Sequence, residues 1–426
     1  MSFQTGLSGL NASSQSLDVI GNNIANANTV GMKASRGEFS DLVASAIGAG
    51  GTANTAGIGS AVATISQNFS QGNINITGNS LDVAINGGGF FQVTKTDGSV
   101  AYSRDGEFKL DKDGNIITNN GAFLMGYPTD VTGAATSQTT QKLVIPTGAP
   151  IAAKQTTNIV AEFNLDARAP IAASVTPPTP LSTYGTSLTT FDSQGKPIPL
   201  SLYFQRIDAD PTSANVDPLA VATATPTDQW TVYTGNDPAT ATLAGVLCFN
   251  ASGALDTTNS TFPGAGLTIT PPPPSIISPF VASVDVSKVS QYGVNFAISN
   301  LSQDGYTSGE FTGLSIDAKG VITTRYSNGQ TQKDGGMIAL ADFRNVQGLS
   351  PIGSGEYLES FKSGAAVLGR PTVGRFGEMR SGAVEESNVD LTAELVNMMT
   401  AQRNYQANAQ TIKTQDQIMS TLVNLR

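Results

Sequence analysis

The chain has 426 residues, a formal net charge of −10 and charged side chains at 13% of its positions, about half of the usual share of roughly 25%. This length suggests about two to four domains, and no run of Lys and Arg indicates a nucleic-acid groove. The absence of histidine excludes the Ser-His-Asp triad and most zinc sites, the single cysteine excludes an intrachain disulfide, and no stretch approaches the roughly 20 apolar residues of a membrane span.

The first thirty residues predict a helix with one narrow apolar seam. Most of its apolar side chains recur at heptad spacing, and the others fill intermediate positions on the same side. The seam consists of Phe3, Leu7, Leu10, Leu17, Ile20 and Ile24. The opposite face is rich in Asn, Ser and Ala, whereas a solvated helix would favour Glu and Lys.

The segment after this helix changes in character. Residues 39–47 have a briefly helical pattern, and the glycine-rich residues 48–61 predict a flexible loop. From Gln67 to about Val144, short runs of β-forming residues alternate with glycine turns, which predicts strands and hairpins.

One turn pattern recurs along the chain: an apolar residue, Asp or Asn, two residues, Gly, one residue and a second apolar residue. It occurs at residues 110–116, 249–255 and 316–322, and loosely at 191–198. Asp or Asn opens a type I turn, and Gly takes the left-handed position that closes the hairpin. A longer similarity links residues 106–121 to 309–329, which suggests two hairpins of one domain with another domain inserted between them.

The predicted insert spans residues 146–279. Proline-rich stretches bracket it on both sides, and its interior is rich in β-forming residues and contains the only tryptophan, Trp230. These features predict a separate β domain.

The last forty residues predict a second helix with a similar seam. Asn388 and Asp390 offer N-caps just before it. The seam consists of Leu391, Leu395, Met398, Tyr405, Ile412 and Met419. Each helix could pack on its own domain as an ordinary amphipathic helix, but two matching seams at opposite ends favour elements of assembly. The simplest arrangement pairs the two helices, although an isolated pair is marginal in water.

Both ends resemble the terminal signatures of the flagellar rod–hook axial proteins. ANANTVGMKASRGEF at residues 25–39 resembles the N-terminal signature, and SGAVEESNVDLTAELVNMMTAQRNYQANAQTIKTQDQ at residues 381–417 resembles the C-terminal one. NSLDVAINGGGFFQV and YSRDGEFKLDKDGNIITNNGAFLMGY, at residues 79–93 and 102–127, also resemble this family. In the insert, LTTFDSQGKPIPLSLYF and QWTVYTG resemble the outer domain of hook members, which favours a hook member over a rod member.

The resemblance implies an α+β multidomain fold, with a coiled coil of the two terminal helices and two predominantly β domains, one inserted in the other. The expected parts are a helical domain of residues 1–30 with 383–426, a connecting segment of 31–71 with 361–382, a middle β domain of 72–145 with 280–360, and the inserted outer domain of 146–279. It also implies that the chain leaves the first helix through a tightly packed junction at Asn26, Asn28 and Gly31. Asn tolerates unusual backbone angles and caps its neighbours, and Gly supplies a flexible point.

The function that the resemblance implies is structural. The chain would be a subunit of the bacterial flagellar hook, polymerising into a flexible tube that transmits torque from the rod to the filament. Expected partners are other copies of the chain, rod and hook–filament junction proteins, and the hook cap and export apparatus during assembly, with no nucleic acid and no membrane. The lack of a recognisable secretory signal peptide fits export to the extracellular hook without cleavage. A distal rod subunit and an extracellular β-rich binding protein or adhesin are the alternatives.

The sequence contains no catalytic constellation, so we expect neither an enzyme nor a cofactor or metal site. INGGGFF at residues 85–91 lacks the G-x-G-x-x-G spacing and predicts a tight turn. DKDGN at residues 111–115 predicts a hairpin rather than a calcium loop. Glu385 and Glu386 are interpreted as solvated or helix-dipole residues, and Cys248 as a small buried hydrophobe.

Overall fold

The computed structural model describes residues 3–43, 57–148, 150–171, 184–210, 219–221, 228–235, 242–264, 266–272 and 276–424. The described chain is mostly β with one helix near each end, which confirms the predicted α+β class. It divides into two compact units, Met1–Gly148 with Thr312–Arg325 and Thr331–Arg426, and Ala149–Phe311 with Tyr326–Gln330. Neither described helix has the length and apolar character needed to span a bilayer.

The first unit opens with a long helix, a two-stranded hairpin and a series of short strands. These elements are α1 (Phe3–Ala25), β1 (Ser35–Val43), β2 (Gly57–Gln67), β3 (Ile74–Ile76), β4 (Val83–Asn86), β5 (Phe90–Thr94), β6 (Val100–Ser103), β7 (Phe108–Leu110), β8 (Ile116–Thr118), β9 (Phe123–Tyr127) and β10 (Gln141–Lys142). The short strands and their turns confirm the β-rich region predicted after Gln67.

The strand β1 replaces the helix predicted at residues 39–47. It pairs antiparallel with β2, from Ser35 opposite Gln67 to Val43 opposite Gly57. Hydrogen bonds along a whole strand outweigh a weak local helical preference. The loop predicted at residues 48–61 ends earlier than expected, because β2 begins at Gly57; residues 44–56 lie outside the described residues.

The second unit is a sandwich of two sheets. Its strands are β11 (Asn158–Asp166), β12 (Tyr184–Phe191), β13 (Pro197–Ile207), β14 (Asp228–Gly235), β15 (Thr242–Phe249), β16 (Leu267–Ile269), β17 (Phe280–Asp285), β18 (Ser290–Tyr292) and β19 (Ala297–Gln303). One sheet has the order β16-β17-β11-β18, with β19 also paired to β11, and the other has the order β12-β13-β14-β15. Inward side chains of both sheets form one apolar core, in which the rings of Phe163 and Phe204 lie 4.7 Å apart and Trp230 is fully buried.

The second unit extends further along the chain than the insert predicted at residues 146–279. The strand β17 pairs parallel with β11, and β19 pairs antiparallel with it. The unit therefore continues to Phe311, and the boundary at 279 is wrong. Residues 280–303 belong with the insert because they complete its sheet, and no local sequence signal marks such long-range pairing.

The chain then returns to the first unit and ends in the second long helix. These elements are β20 (Phe311–Ile316), β21 (Ile322–Tyr326), β22 (Thr331–Gln332), β23 (Met337–Ile338), β24 (Leu340–Asp342), a short 3-10 helix (Val346–Gly348), β25 (Ser350–Gly353), β26 (Glu356–Leu358), β27 (Val367–Gly369), β28 (Glu378–Ser381), β29 (Ala383–Glu385) and α2 (Leu391–Asn424). The strands β23 to β27 join β5 to β10 in an eleven-stranded sheet, and β28 and β29 pair with β4 and β3. Both ends of the chain thus contribute strands to the same unit.

The four predicted turns are confirmed. Their glycines have φ between +75° and +80°, and in each turn the side-chain oxygen of the opening residue accepts two backbone N–H groups. The opening residues are Asp111, Asp192, Asn250 and Asp317, with Gly114, Gly195, Gly253 and Gly320. A fifth turn of this kind begins at Asp130. The sequence pattern misses this turn because the flanking positions hold Thr129 and Ala135 in place of large apolar residues.

Candidate functional site

The two terminal helices run antiparallel and contact each other through small and polar side chains. A Cβ at Gly9 would lie only 2.8 Å from Nδ2 of Asn408, so the missing side chain lets the helices approach closely. At the other end of the pair, Asn23 Nδ2 donates to Glu394 Oε1 at 3.3 Å. Asn23 is buried, and so is Ala401 of α2. Small and polar residues therefore form part of the contact face.

Half of the twelve predicted seam residues are exposed in the single chain, and the other half are buried or partly buried. Ile20 is buried, and Ile412 lies beside Gly6. Partly exposed seam residues are Leu10, Leu17, Ile24, Met398 and Ile412. Those exposed at 37% to 55% are Phe3, Leu7, Leu391, Leu395, Tyr405 and Met419.

A row of half-exposed apolar side chains follows one side of α2. Leu391, Leu395 and Met399 succeed one another at a spacing of four residues, which places them on one face of the helix. Leu395 and Met399 are 51% and 52% exposed, and the adjacent Val396 is 51% exposed. No described residue of the chain covers this apolar row.

The junction after α1 combines an asparagine cap with a backbone constraint. Asn26 Nδ2 donates to the carbonyl of Asn22 at 2.9 Å, and Thr29 donates to the Asn26 side chain. Gly31 has a φ of +70°, and a Cβ there would lie 2.6 Å from the backbone nitrogen of Asp105. Only glycine fits this position without strain. Asn28 is exposed on the junction surface.

A buried ionic cluster lies directly beyond the junction. Lys33 Nζ donates to Glu385 Oε1 and, at 2.9 Å, to the carbonyl of Ser70. Arg104 Nη1 donates to Glu385 Oε2 at 2.9 Å. The side chains of Lys33 and Glu385 are fully buried, and that of Arg104 is 6% exposed. We call these three residues the ionic cluster.

Backbone groups add hydrogen bonds to the ionic cluster, although Nε of Arg104 is buried without a partner among the described residues. The N–H of Gly72 donates to Glu385 Oε1 at 2.9 Å, and Arg104 Nη2 donates to the carbonyl of Gly87 at 2.9 Å. The N–H of Gly31 donates to the carbonyl of Glu385 at 2.8 Å. These bonds satisfy charged groups that would otherwise be costly to bury.

The pKa values of the two cations respond to this burial. Removal from water lowers the pKa of the Lys33 ammonium group, while its hydrogen bond and ionic contact with Glu385 oppose the shift. Burial likewise lowers the pKa of Arg104, again against the attraction of Glu385. The Glu385 carboxylate is therefore the group that favours the charged forms of both buried cations.

The structure overturns the interpretation of Glu385 as a solvated residue. Its strand β29 pairs with β3, and its side chain is buried in contact with Lys33 and Arg104. The neighbouring Glu386 is exposed, as predicted. The sequence analysis did not identify Lys33 and Arg104 as part of a site. The one signal available for them was the low share of charged residues in the chain, 13%.

Two further polar residues fasten the start of α2. Asp390 Oδ1 accepts the backbone N–H groups of Thr392 and Ala393 at 2.8 and 3.1 Å, which confirms it as an N-cap. Asn388 instead accepts the N–H of Ala34 at 2.7 Å and donates to the carbonyl of Asn68 at 2.7 Å. The entry to α2 is thus fixed to the exit from α1.

Comparisons with known proteins match this architecture along nearly the whole chain. Successive parts match the families Flagella basal body rod protein (residues 3–33), Flagellar hook protein FlgE/F/G D1 domain (84–161), Flagellar basal body protein FlaE D2 domain (164–306) and Flagellar basal body rod FlgEFG protein C-terminal (380–425). The Flagellar hook protein FlgE of Escherichia coli is 40% identical over 439 residues, with both chains covered completely. The chain belongs to the flagellar hook protein family.

Other members are similar over their whole length as well. The FlgE of Rhizobium meliloti is 34% identical, with 100% of this chain and 98% of that one covered. The crystal structure of Helicobacter pylori FlgE2 matches with a TM-score of 0.53 at 16% identity, covering 73% of this chain and 100% of that one. This last likeness shows a shared fold. The hook-family chain is thus a structural subunit of the bacterial flagellar hook and not an enzyme, and the rod and adhesin alternatives are not favoured.

The family match also supports the longer second unit. Its D2 match runs to residue 306, beyond the predicted boundary at 279 and close to the end of the second unit at Phe311. The same stretch carries β17 to β19, which complete the sheet around β11.

The remaining residues considered for chemistry have structural positions. Gly87 has a φ of +119°, and a Cβ there would lie 2.9 Å from the Cα of Gly377, which confirms the tight turn. Cys248 is fully buried in β15, and burial raises the pKa of its thiol to about 11. Within the described ranges, no group of three or more His, Cys, Asp or Glu side chains is arranged to hold a metal ion.

Proposed function

We propose that copies of this chain polymerise into the hook tube through the outward apolar surface of the terminal helices. The supporting observation is the apolar row at Leu391, Leu395 and Met399, which the α1–α2 pair leaves uncovered. Apolar surface of this kind is stabilised by removal from water, and neighbouring copies of the same helices are the nearest source of complementary surface.

The size of the effect fits an assembly made of many weak contacts. Complete burial of a leucine side chain is worth about 1.5–3 kcal/mol. A residue that is half-exposed in the subunit would therefore gain roughly 1 kcal/mol when a neighbour covers it. Several such residues on each of two helices give a total large enough for a polymer, while a single subunit remains soluble.

We assign the predicted seams and junction to this assembly. The helical ends, residues 1–30 with 383–426, would form the inner layer of the tube. Residues 31–71 with 361–382 would connect this layer to the middle β domain, and the insert would form the outer domain, with its boundaries revised to those of the second unit. A continuous inner layer with separate outer domains would let the tube bend while it transmits torque from the rod to the filament.

The proposed partners follow from the place of the hook in the flagellum. The polymer would meet rod proteins at one end and hook–filament junction proteins at the other, and would require a hook cap and the export apparatus during assembly. We further propose export to the extracellular hook without cleavage of a signal peptide. No nucleic acid or membrane is part of this function.

The assembly proposal is tested by placing a charge in the apolar row. Leu395→Asp would bury an unpaired carboxylate at each contact, which costs several kcal/mol. We expect the concentration needed for polymerisation, measured by sedimentation and electron microscopy, to rise by about tenfold or more. Fluorescence of the buried Trp230 should stay unchanged, because the second unit remains folded.

Two matched variants separate the apolar contact from general effects of substitution. Leu395→Met keeps the apolar character and should polymerise as the unaltered chain does. Gln410→Asp adds the same charge at an exposed polar position of α2 and should have a much smaller effect. Polymerisation of Leu395→Asp at the unaltered concentration would contradict the proposal.

A further inference from the structure

The ionic cluster joins charged residues from three distant parts of the chain. Lys33 follows α1, Arg104 follows β6, and Glu385 ends β29. Glu385 lies 352 residues after Lys33 and 281 residues after Arg104. The cations therefore belong to the first quarter of the chain, whereas their carboxylate belongs to the last tenth.

The cluster contains two cations and one carboxylate. Among the described residues, Glu385 is the only carboxylate within ion-pair distance of either Lys33 or Arg104. Asp342 also attracts Arg104 electrostatically, but its ion-pair partner is Arg375 at 3.5 Å. Without Glu385, both cations would have to be buried unpaired, which is strongly unfavourable.

Packing of the strands next to the cluster brings the cations out of water. Arg104 directly follows β6, and its guanidinium lies 5.3 Å from the ring centre of Phe90 in β5. Packing of β5 and β6 therefore carries Arg104 into the interior. The N–H of Gly31 donates to the carbonyl of Glu385, so docking of β29 also fixes the chain two residues before Lys33.

We propose that Glu385 is a folding checkpoint for the first unit. The strands β5 and β6 would stay open until the segment that contains β29 docks and neutralises Lys33 and Arg104. An incomplete chain that already contains β24 and β26, which pair with β5 and β6, but lacks this segment would then keep the region around β5 and β6 unfolded. The second unit contains none of the three residues, so we expect its folding not to depend on the checkpoint.

A simpler explanation is that β29 matters only because it completes a sheet. In that case the backbone pairing of β29 with β3 would be important, and the charges would not. The two explanations differ in what happens when all three charges are removed from the full-length chain. A checkpoint built on charge disappears, whereas a requirement for the strand remains.

The first test uses native-state hydrogen exchange of the full-length protein. Glu385→Gln keeps the shape of the side chain but leaves the cations without a counter-ion, so exchange at the amides of β5 and β6 should accelerate about tenfold or more. Glu386→Gln removes the exposed neighbouring charge and should change exchange by less than about twofold. Trp230 fluorescence should be the same in both variants. Unchanged exchange in Glu385→Gln would overturn the proposal.

The second test follows the order of folding by pulse labelling during refolding. In the unaltered chain, the amides of β5 and β6 should gain protection together with those of β29. In the triple variant Lys33→Met, Arg104→Met and Glu385→Gln, β5 and β6 should gain protection before β29. Early protection of β5 and β6 in the unaltered chain, or the same order in both proteins, would show that the charges impose no checkpoint.

Discussion

The core of the second unit and the face between the terminal helices are built on opposite plans. In the second unit, Phe163, Phe204 and Trp230 point inward and are almost completely buried. Between α1 and α2, the contacts include Gly9, Asn23 and their polar partners, and half of the twelve predicted seam residues stay exposed. One region is complete within a single chain, and the other retains apolar surface for further copies.

The difference shows how one chain combines a stable domain with an assembly element. Large apolar side chains stabilise a subunit only if they are buried within it. The hook-family chain buries them in its second unit and in the sheets of the first, but exposes them on its helices. The two regions should therefore respond in opposite ways to the removal of an apolar side chain.

The largest expected effect comes from shortening a core side chain. Phe204→Ala should lower the free energy of unfolding of the second unit by about 3–5 kcal/mol, because it leaves a cavity beside Phe163 and Trp230. Urea denaturation followed by Trp230 fluorescence measures this change.

The matching change on the helices should be almost silent in the isolated subunit. Leu395→Ala removes a side chain that is 51% exposed, so the subunit should lose less than about 1 kcal/mol. Its effect should appear instead as a higher concentration for polymerisation. A loss of subunit stability equal to that of Phe204→Ala would mean that the two regions do not differ as described.

A second comparison contrasts two glycines near the end of α1. Gly31→Ala places a Cβ 2.6 Å from a backbone nitrogen at a φ of +70°, and should destabilise the first unit by about 2 kcal/mol or more. Gly21→Ala, inside the helix with no atom within 4 Å of the new Cβ, should instead stabilise α1 by up to about 1 kcal/mol. Circular dichroism during thermal unfolding distinguishes the two signs. Equal and small effects would show that the junction is not constrained.

Local features of both regions were accessible from the sequence, whereas distant pairings were not. The turns at Asp111 and Asp317 follow from residues within one short segment, and the helices follow from heptad spacing. The strand β1 depends on its pairing with β2, so its local pattern misled. The end of the second unit at Phe311 depends on pairing with β11.

The ionic cluster illustrates the same limit for the site. Its three members are separated by hundreds of residues, and Glu385 looks like an ordinary surface glutamate in its local sequence. Its burial depends on contacts with Lys33 and Arg104, which lie far from it in the sequence. The seam residues were identifiable as apolar, but which of them stay exposed depends on how α1 and α2 pack together.

The smallest of the expected effects is a pH dependence confined to the first unit. Burial, followed by the negative charges of Glu107, Asp82 and Glu356, raises the pKa of Asp105 from 3.8 to about 6. The folded state therefore binds this proton more tightly than the unfolded chain does. Its stabilising contribution is fully present below about pH 4 and is lost as the pH rises through about 6.

Asp105→Asn should remove this dependence. The amide oxygen can still accept the N–H of Glu107, which the carboxylate accepts at 3.0 Å, but no charge forms in the interior at neutral pH. A shift of this size corresponds to a ceiling of about 3 kcal/mol, and water penetration should reduce the gain at pH 7 to about 1 kcal/mol.

Hydrogen exchange of β6 measured between pH 4 and 7, corrected for the intrinsic rate, should show a decline in stability for the unaltered chain and a flatter profile for the variant. The Trp230 transition serves as the internal control, because the second unit lacks Asp105 and should respond identically in both proteins. If the pH profiles of β6 are parallel in the two proteins, Asp105 does not cause the pH dependence of stability. The first unit would then resemble the second in showing no response to this substitution.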